Sequence, residues 1–248
     1  MTEIVTAGLL VIGDEILSGR TKDKNIGFIA EYLTNLGIDL KEVRVVPDDE
    51  SEIVDALNVL RRKFTYVFTT GGIGPTHDDI TADSVAKAVG VPIGYHPAVV
   101  ERFKERFGER LNEARLRMAR IPEGAELIES ATILAPGFKI DNVIVMAGVP
   151  SIMQAMMDII SPKLKAGQRM LSESVRADAL EGDIGSPLRE IAERYLETSI
   201  GSYPFVGEDN KPNTNIVVRS RDQQKLDLAM GEVKAMLAAL HAARNPVQ

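Results

Sequence analysis

The sequence predicts an α/β protein: a doubly wound, mostly parallel sheet over residues 1–165 and a small C-terminal α+β domain over 166–248. Three observations predict it. Ile4 to Ile12 is an almost unbroken apolar run, the pattern of a strand covered on both faces. Each of the first three strands leads into a segment with apolar residues at helical spacing, and strand-then-helix units in series close by right-handed crossovers into a parallel sheet. Near Ser161-Pro162 the order changes to β-α-β-β-α, the pattern of a smaller and mainly antiparallel sheet.

The elements follow in order. Gly13-Asp14-Glu15 ends the first strand. A helix runs from about Asn25 to Leu36, with Ile26, Ile29, Leu33 and Leu36 on one face, and Gly37 stops it. Ile38 to Val46 is a strand ended by Pro47. Asp48 or Asp49 caps the next helix, where Ile53, Leu57 and Leu60 repeat at helical spacing. Tyr66 to Thr70 is a short strand leading into Gly71-Gly72-Ile73-Gly74-Pro75. Asp78 to Val89 reads as a helix ended by Gly90. Pro97 opens a helix toward Phe107, and Leu111 to Ala119 forms another. Ile133 and Pro136-Gly137-Phe138 read as a hairpin element. Asn142 to Met146 is one more buried strand, and Gly148-Val149-Pro150 delivers the chain into a helix over 151–160. In the second domain the expectation is strand 169–177, helix 186–196, strands 199–206 and 214–221, and helix 222–242.

Composition narrows the function classes. With 248 residues and 44% hydrophobic residues the chain can bury a large core. The formal net charge of -7 disfavours general nucleic-acid binding, because an acidic surface repels phosphates. With no cysteine, disulfides, thiolate metal sites and cysteine nucleophiles are excluded. No apolar run approaches the roughly 20 residues that span a bilayer, and the first residues lack a signal peptide's basic region. The expectation is a cytoplasmic protein with no membrane or nucleic-acid partner.

The segment from Thr70 to Thr81 is the richest in chemistry. It joins the carboxyl end of a strand to the amino end of a helix, where open parallel sheets bind ligands. Gly71, Gly72 and Gly74 allow close backbone approach, and their amides with the helix end form an anion-binding concavity. The adjacent Asp78 and Asp79 point to a divalent cation, since phosphates and carboxylates tolerate each other with a metal between them. Taken alone, the segment also reads as a glycine turn with two aspartates capping a helix. It is not a Walker loop, and His77 occupies the position of a dinucleotide motif's third glycine.

Three further clusters follow strands: Gly13-Asp14-Glu15 with Ser18 and Asn25, Pro47-Asp48-Asp49, and Gly148-Val149-Pro150. All four fall on one edge of the expected sheet, where they could meet in one crevice. His77 is the only histidine among them, and His241 reads as a solvated residue of the terminal helix. Met153, Met156 and Met157 read as core. The basic stretch Arg102, Lys104, Arg106, Arg110, Arg115, Arg117 and Arg120 reads mostly as a solvated face, one or two of whose members could reach a phosphate.

Thr70-Gly71-Gly72-Ile73-Gly74-Pro75-Thr76-His77-Asp78-Asp79-Ile80-Thr81 resembles the signature of the molybdopterin-binding fold family. Gly13 to Gly19, Asn25 and Gly148-Val149-Pro150 resemble its CinA amino-terminal branch, although Ala147 stands where that branch usually has proline. The resemblance implies a three-layer α/β/α core. It implies that Asp48 and Asp79 are catalytic and that Asp78 and Asp79 hold a divalent metal, Mg²⁺ or Co²⁺. Substrate would be bound by Gly13, Asp14, Glu15, Ser18, Asn25, Thr70, Gly71, Gly72, Gly74, Pro75, Thr76, Gly148 and Pro150. The implied activity is a metal-dependent pyrophosphatase acting on ADP-ribose or an FAD-like dinucleotide, in a homo-oligomer of two or three chains. Molybdopterin binding with adenylyl transfer, and a non-catalytic nucleotide-binding module, are the alternatives.

Overall fold

The computed structural model describes residues 4–130, 133–208 and 210–244. The chain divides into two compact units, Met1–Gly167 and Gln168–Gln248.

In the first unit the order is β1 (Thr6–Ile12), α1 (Asp14–Leu17), α2 (Asn25–Asn35), β2 (Asp39–Val46), α3 (Glu50–Lys63), β3 (Tyr66–Thr70), α4 (Thr81–Val89), β4 (Ile93–Tyr95), α5 (Pro97–Phe107), α6 (Glu113–Arg117), β5 (Arg120–Pro122), β6 (Glu126–Ile128), β7 (Gly137–Ile140), β8 (Val143–Met146) and α7 (Pro150–Ile160). Six strands form one sheet in the order β2-β1-β3-β8-β7-β6. β2, β1, β3 and β8 are parallel, while β7 and β6 join as antiparallel strands. β4 and β5 pair as a separate antiparallel ribbon.

The unbroken apolar pattern of β1 has a direct cause. Ala7, Leu9 and Val11 pack with Ile29 and Leu33 of α2 and Met153, Met156 and Met157 of α7. Leu10 and Ile12 point to the other side and pack with Ile53, Leu57 and Leu60 of α3 and Val85 of α4. Two covered faces make three layers, α/β/α. Each fully buried large apolar side chain, such as Phe68 or Leu57, contributes about 1.5–3 kcal/mol. The three methionines are buried in the core, as their spacing suggests.

The sheet's parallel half sends the carboxyl ends of β1, β2, β3 and β8 to one edge. The loops there carry all four clusters singled out above. Local chemistry sets where each helix begins. Asp49 caps α3, its side chain accepting the amides of Ser51 (2.9 Å) and Glu52 (3.2 Å). Arg61, Arg62 and Lys63 complement the helix's negative end. Asp23 caps α2, accepting the amides of Asn25 (3.1 Å) and Ile26 (2.8 Å).

Several sequence expectations are corrected. α4 begins at Thr81, not Asp78, because Asp79 folds back onto its own loop (described below). Leu111 to Ala119 is helical only over α6, which Asn112 caps by accepting the Arg115 amide at 3.0 Å. The expected hairpin is a β7–β8 pair turning at Asp141, whose φ is 50°. Asn142 locks that turn through Nδ2, which donates to the carbonyls of Arg61 (2.9 Å) and Phe64 (3.0 Å). Ile133 packs in the core without joining a strand.

The second unit comprises β9 (Leu171–Arg176), α8 (Glu181–Arg194), β10 (Ser199–Val206), β11 (Pro212–Ser220) and α9 (Gln223–Arg244). Its sheet is antiparallel in the order β10-β11-β9. α8 starts five residues earlier than expected and carries Pro187 within it. As the seventh residue of the helix, Pro187 leaves one intrahelical carbonyl without its amide donor. Ile184, Leu188 and Ile191 of α8 pack with Ile216, Val218, Leu226, Met230 and Val233 as the unit's core. His241 is not simply solvated: its Nε2 lies 2.9 Å from the Ala177 carbonyl.

Candidate functional site

The glycine loop after β3 owes its path to two residues that admit no side chain. Gly71 has φ 104°, and a Cβ there would lie 2.1 Å from the Ile12 carbonyl oxygen. Gly72 has φ 64°, and a Cβ there would meet Thr81 Oγ1 at 2.2 Å. The loop is then pinned from within. Thr81 Oγ1 donates to the Gly71 carbonyl at 2.9 Å. Asp79 accepts the Gly74 amide at 2.7 Å through Oδ1, and the Thr76 amide at 2.8 Å and the Thr76 hydroxyl through Oδ2.

These bonds sort the loop's amides. That of Gly71 goes to the Met146 carbonyl (3.3 Å) and that of Gly74 to Asp79. Between Gly71 and Gly74, the amides of Gly72 and Ile73 are left without a partner among the described residues. Three hydrogen bonds thus hold the Asp79 carboxylate to its own loop, one on Oδ1 and two on Oδ2, which leaves Oδ1 a second acceptor position. Pro75, Thr76 and His77 are exposed, and His77 Nδ1 lies 3.9 Å from Asp78 Oδ1.

On one side of the loop lies a cavity of about 220 Å³. Glu15, Asn25, Thr70, Gly71, Gly148 and Pro150 line it, together with the apolar Val11, Ile12 and Ile16. Asn25 is 4% exposed and Thr70 1%. The Asn25 Nδ2 donates to the Gly148 carbonyl at 2.9 Å, which fixes the direction of its other end. Its Oδ1 and the Thr70 Oγ1 are buried without a hydrogen-bond partner. Buried polar atoms are almost always paired, and these two unpaired ones belong to residues that line the same cavity. Gly148 comes close enough to Gly71 that a Cβ on it would lie 3.3 Å from the Gly71 Cα.

Beside this cavity the carboxylates gather. Because Asp49 caps α3, Asp48 is left to face the loops, where its Oδ2 accepts the Asp14 amide at 2.9 Å. Gly13, one residue earlier, donates to the Val46 carbonyl at 3.1 Å, so the ends of β1 and β2 are tied twice. Burial pushes the Asp48 carboxyl above its ordinary value; the Asp14 amide opposes this, and the negative charges of Glu15, Asp14 and Asp78 add to it. Asp78 is held below the usual carboxylate range by the Thr76 hydroxyl, then by its own amide and the neighbouring His77.

Among the described residues no three histidine or carboxylate side chains converge to hold a metal ion. The donor set therefore does not form an all-protein cage. It does fit a cation of the magnesium type, which takes one or two carboxylates and completes its shell with phosphate oxygens and water. An acidic group whose ionisation is opposed by its acidic neighbours suits such a cation.

Most of the sequence-derived candidates thus meet at one sheet edge, but on different sides of the loop. Gly74 and Asp79 line a second, narrow crevice of about 20 Å³ with Gly72, Asp83 and Arg117. Ser18 lies apart, on an open surface with Asp14, Leu17 and Arg20. Lys22, Asp23 and Lys24 at the cavity were not anticipated. The aspartate two residues ahead of Asn25 was a readable capping signal for that turn. Arg117 could not be separated by sequence from the other basic residues of its stretch.

Residues 8–166 match the family described as "Probable molybdopterin binding domain", and residues 169–245 match "FAD synthase, middle domain". A protein of Aeropyrum pernix is 32% identical over all of this chain and 96% of its own length. A "Putative competence-damage inducible protein" of Streptococcus gordonii is 32% identical over 82% of this chain and 51% of its own. The crystal structure of the protein CinA, of unknown function, from Thermoplasma acidophilum is 34% identical over 64% of this chain and 96% of that one, with a TM-score of 0.60.

Proposed function

The chain belongs to the molybdopterin-binding-domain family, in its CinA-like branch, and on that premise we propose that it is a metal-dependent pyrophosphatase that cleaves the diphosphate of ADP-ribose or an FAD-like dinucleotide. One observation carries the reading most. The cavity with two buried, unpartnered polar atoms, Asn25 Oδ1 and Thr70 Oγ1, opens beside the carboxylates around Asp48. It offers an acceptor and a hydroxyl inside apolar walls, which suits a planar heterocycle bearing N–H groups. The match of the second unit to an FAD synthase domain supports a nucleotide as ligand.

In this reading the heterocycle lies between Ile16, Pro150 and Gly148, held by Asn25 and Thr70. The diphosphate reaches the free amides of Gly72 and Ile73. A divalent cation, when bound, would neutralise phosphate charge and lower the pKa of water; Asp78 and Asp48 are the residues to hold it, with Asp79 keeping the loop in shape. Asp48 accepts a proton from the attacking water. The new bond forms from water oxygen to phosphorus, the bridging P–O bond breaks, and its electron pair leaves with the second phosphate. ADP-ribose would yield AMP and ribose 5-phosphate, and FAD would yield AMP and FMN.

The alternatives are separable. Incubation of purified protein with ADP-ribose or FAD and Mg²⁺ or Co²⁺ should release AMP. Tight molybdopterin binding without AMP release would favour the pterin-binding reading. Nucleotide binding with no turnover under any metal would favour a non-catalytic module. A homo-oligomer of two or three chains remains part of the proposal, to be read by light scattering.

A further inference from the structure

The second crevice is lined by Arg117, a cation that makes no ion pair among the described residues although Asp79 and Asp83 line the same crevice. The basic stretch from Arg102 to Arg120 is otherwise accounted for at the positions where contacts are seen. Arg102 pairs with Glu129, Lys104 with Glu101 and Arg120 with Asp83, while Arg115 bonds to the Arg110 carbonyl and stacks on Phe107. Arg117 differs. Its Nε is buried with no hydrogen-bond partner among the described residues, as is the Nη2 of Arg102, but Arg102 has the Glu129 ion pair. The Nη2 of Arg117 makes only a long approach, 3.5 Å, to the Asp79 carbonyl. Among the described residues no carboxylate lies within ion-pair distance of it.

A half-buried guanidinium left unpaired is costly, because desolvation is not offset by attraction. Its position gives the cost a use. Arg117 lines one crevice with Gly72, Ile73, Gly74, Asp79 and Asp83, the last paired with Arg120, and Gly72 and Ile73 carry unpartnered amides. The crevice of about 20 Å³ has room for one water-sized group, so a single oxygen enters it and a whole phosphate does not.

We infer that Arg117 is an anion-binding residue of this site, whose guanidinium meets one oxygen of a phosphate seated on the Gly72–Ile73 amides. The inference rests on the nucleotide-diphosphate reading above and names the side chain that discriminates a phosphorylated ligand from a bare nucleoside. Guanidinium is suited to this task, being always charged and rich in fixed donors.

The test is calorimetric titration of the full chain with inorganic pyrophosphate, ADP-ribose and adenosine, for the parent, Arg117→Met and Arg117→Lys, alongside thermal melting. Arg117→Met should lose about tenfold or more in affinity for pyrophosphate and ADP-ribose, the loss that a charge-assisted hydrogen bond implies. Adenosine affinity should hold, and the melting temperature should stay or rise, since an unpaired buried cation is gone. Arg117→Lys should recover part of the loss, and it carries the test alone should the methionine variant not fold. Unchanged pyrophosphate affinity in both variants would overturn the inference. So would equal losses for adenosine and pyrophosphate with a lower melting temperature, which mark a structural role. A parent that binds pyrophosphate through Arg117 but neither nucleotide nor nucleoside would instead sink the nucleotide reading and leave Arg117 standing.

Discussion

The carboxylate of Asp48 accepts the backbone amide of Asp14 at 2.9 Å, joining residues 34 positions apart at the ends of β2 and β1. This single bond holds an acidic side chain among Asp14, Glu15 and Asp78. Its neighbour Asp49 is engaged as a helix cap. Two adjacent aspartates therefore have separable roles, and the first two predictions separate them.

Asp48→Asn should cut AMP release roughly 10²-fold or more, as loss of a general base does. Its effect on stability has the opposite sign. The folded Asp48 carboxyl titrates above its unfolded value, chiefly through burial, so the native state keeps a proton that the unfolded chain has lost. Stability then declines as pH rises from the ordinary carboxylate range through the raised folded value. The asparagine variant escapes this decline. Its melting temperature at pH 7 should equal or exceed the parent's, and the advantage should vanish at pH below the ordinary carboxylate value. Melting across pH checks the sign.

Asp49→Ala removes the two amide acceptances that start α3. Loss of such a cap costs about 1 kcal/mol. Denaturant unfolding should show that loss while AMP release per folded molecule is unchanged.

Thr70→Val replaces a hydroxyl that is buried and unpartnered by an apolar group of the same shape. Relief of that desolvation should stabilise the free protein by roughly 1 kcal/mol, and nucleotide affinity should fall. A destabilised variant with intact affinity would place the hydroxyl outside ligand contact.

Gly71→Ala should be strongly destabilising, by about 1–3 kcal/mol or more. Its backbone lies at φ 104° and the added carbon would meet the Ile12 carbonyl oxygen. Gly90→Ala is the comparison: φ is also positive there, at 79°, but nothing lies within 4 Å of the added carbon. The difference between the two reports the steric contact at the site rather than the left-handed backbone alone.

How far the sequence reaches can be judged residue by residue. β1 and α3 were legible because burial on two faces and capping both leave local patterns, at Ile4 to Ile12 and at the Asp48-Asp49 pair. The convergence of Gly13, Asp48, the glycine loop and Gly148 followed from parallel topology, which sends every such strand end to one edge. The short β4, β5 and β6 were not legible, because three-residue strands carry too little alternation to stand out from turns. Nor was the start of α4, since Asp78-Asp79 looks like a cap until Asp79 is seen bonded to Gly74 and Thr76. Which aspartate caps α3 and which faces the site, and which arginine of the basic stretch lacks a partner, depend on tertiary contacts that no local pattern encodes.

Amide hydrogen exchange with and without saturating ADP-ribose and Mg²⁺ tests the central claim most directly. The account predicts new protection confined to the strand-end loops, at residues 13–16, 22–25, 71–74 and 148–150. Saturable binding with protection elsewhere, and none in the glycine loop or around Asn25, would contradict it.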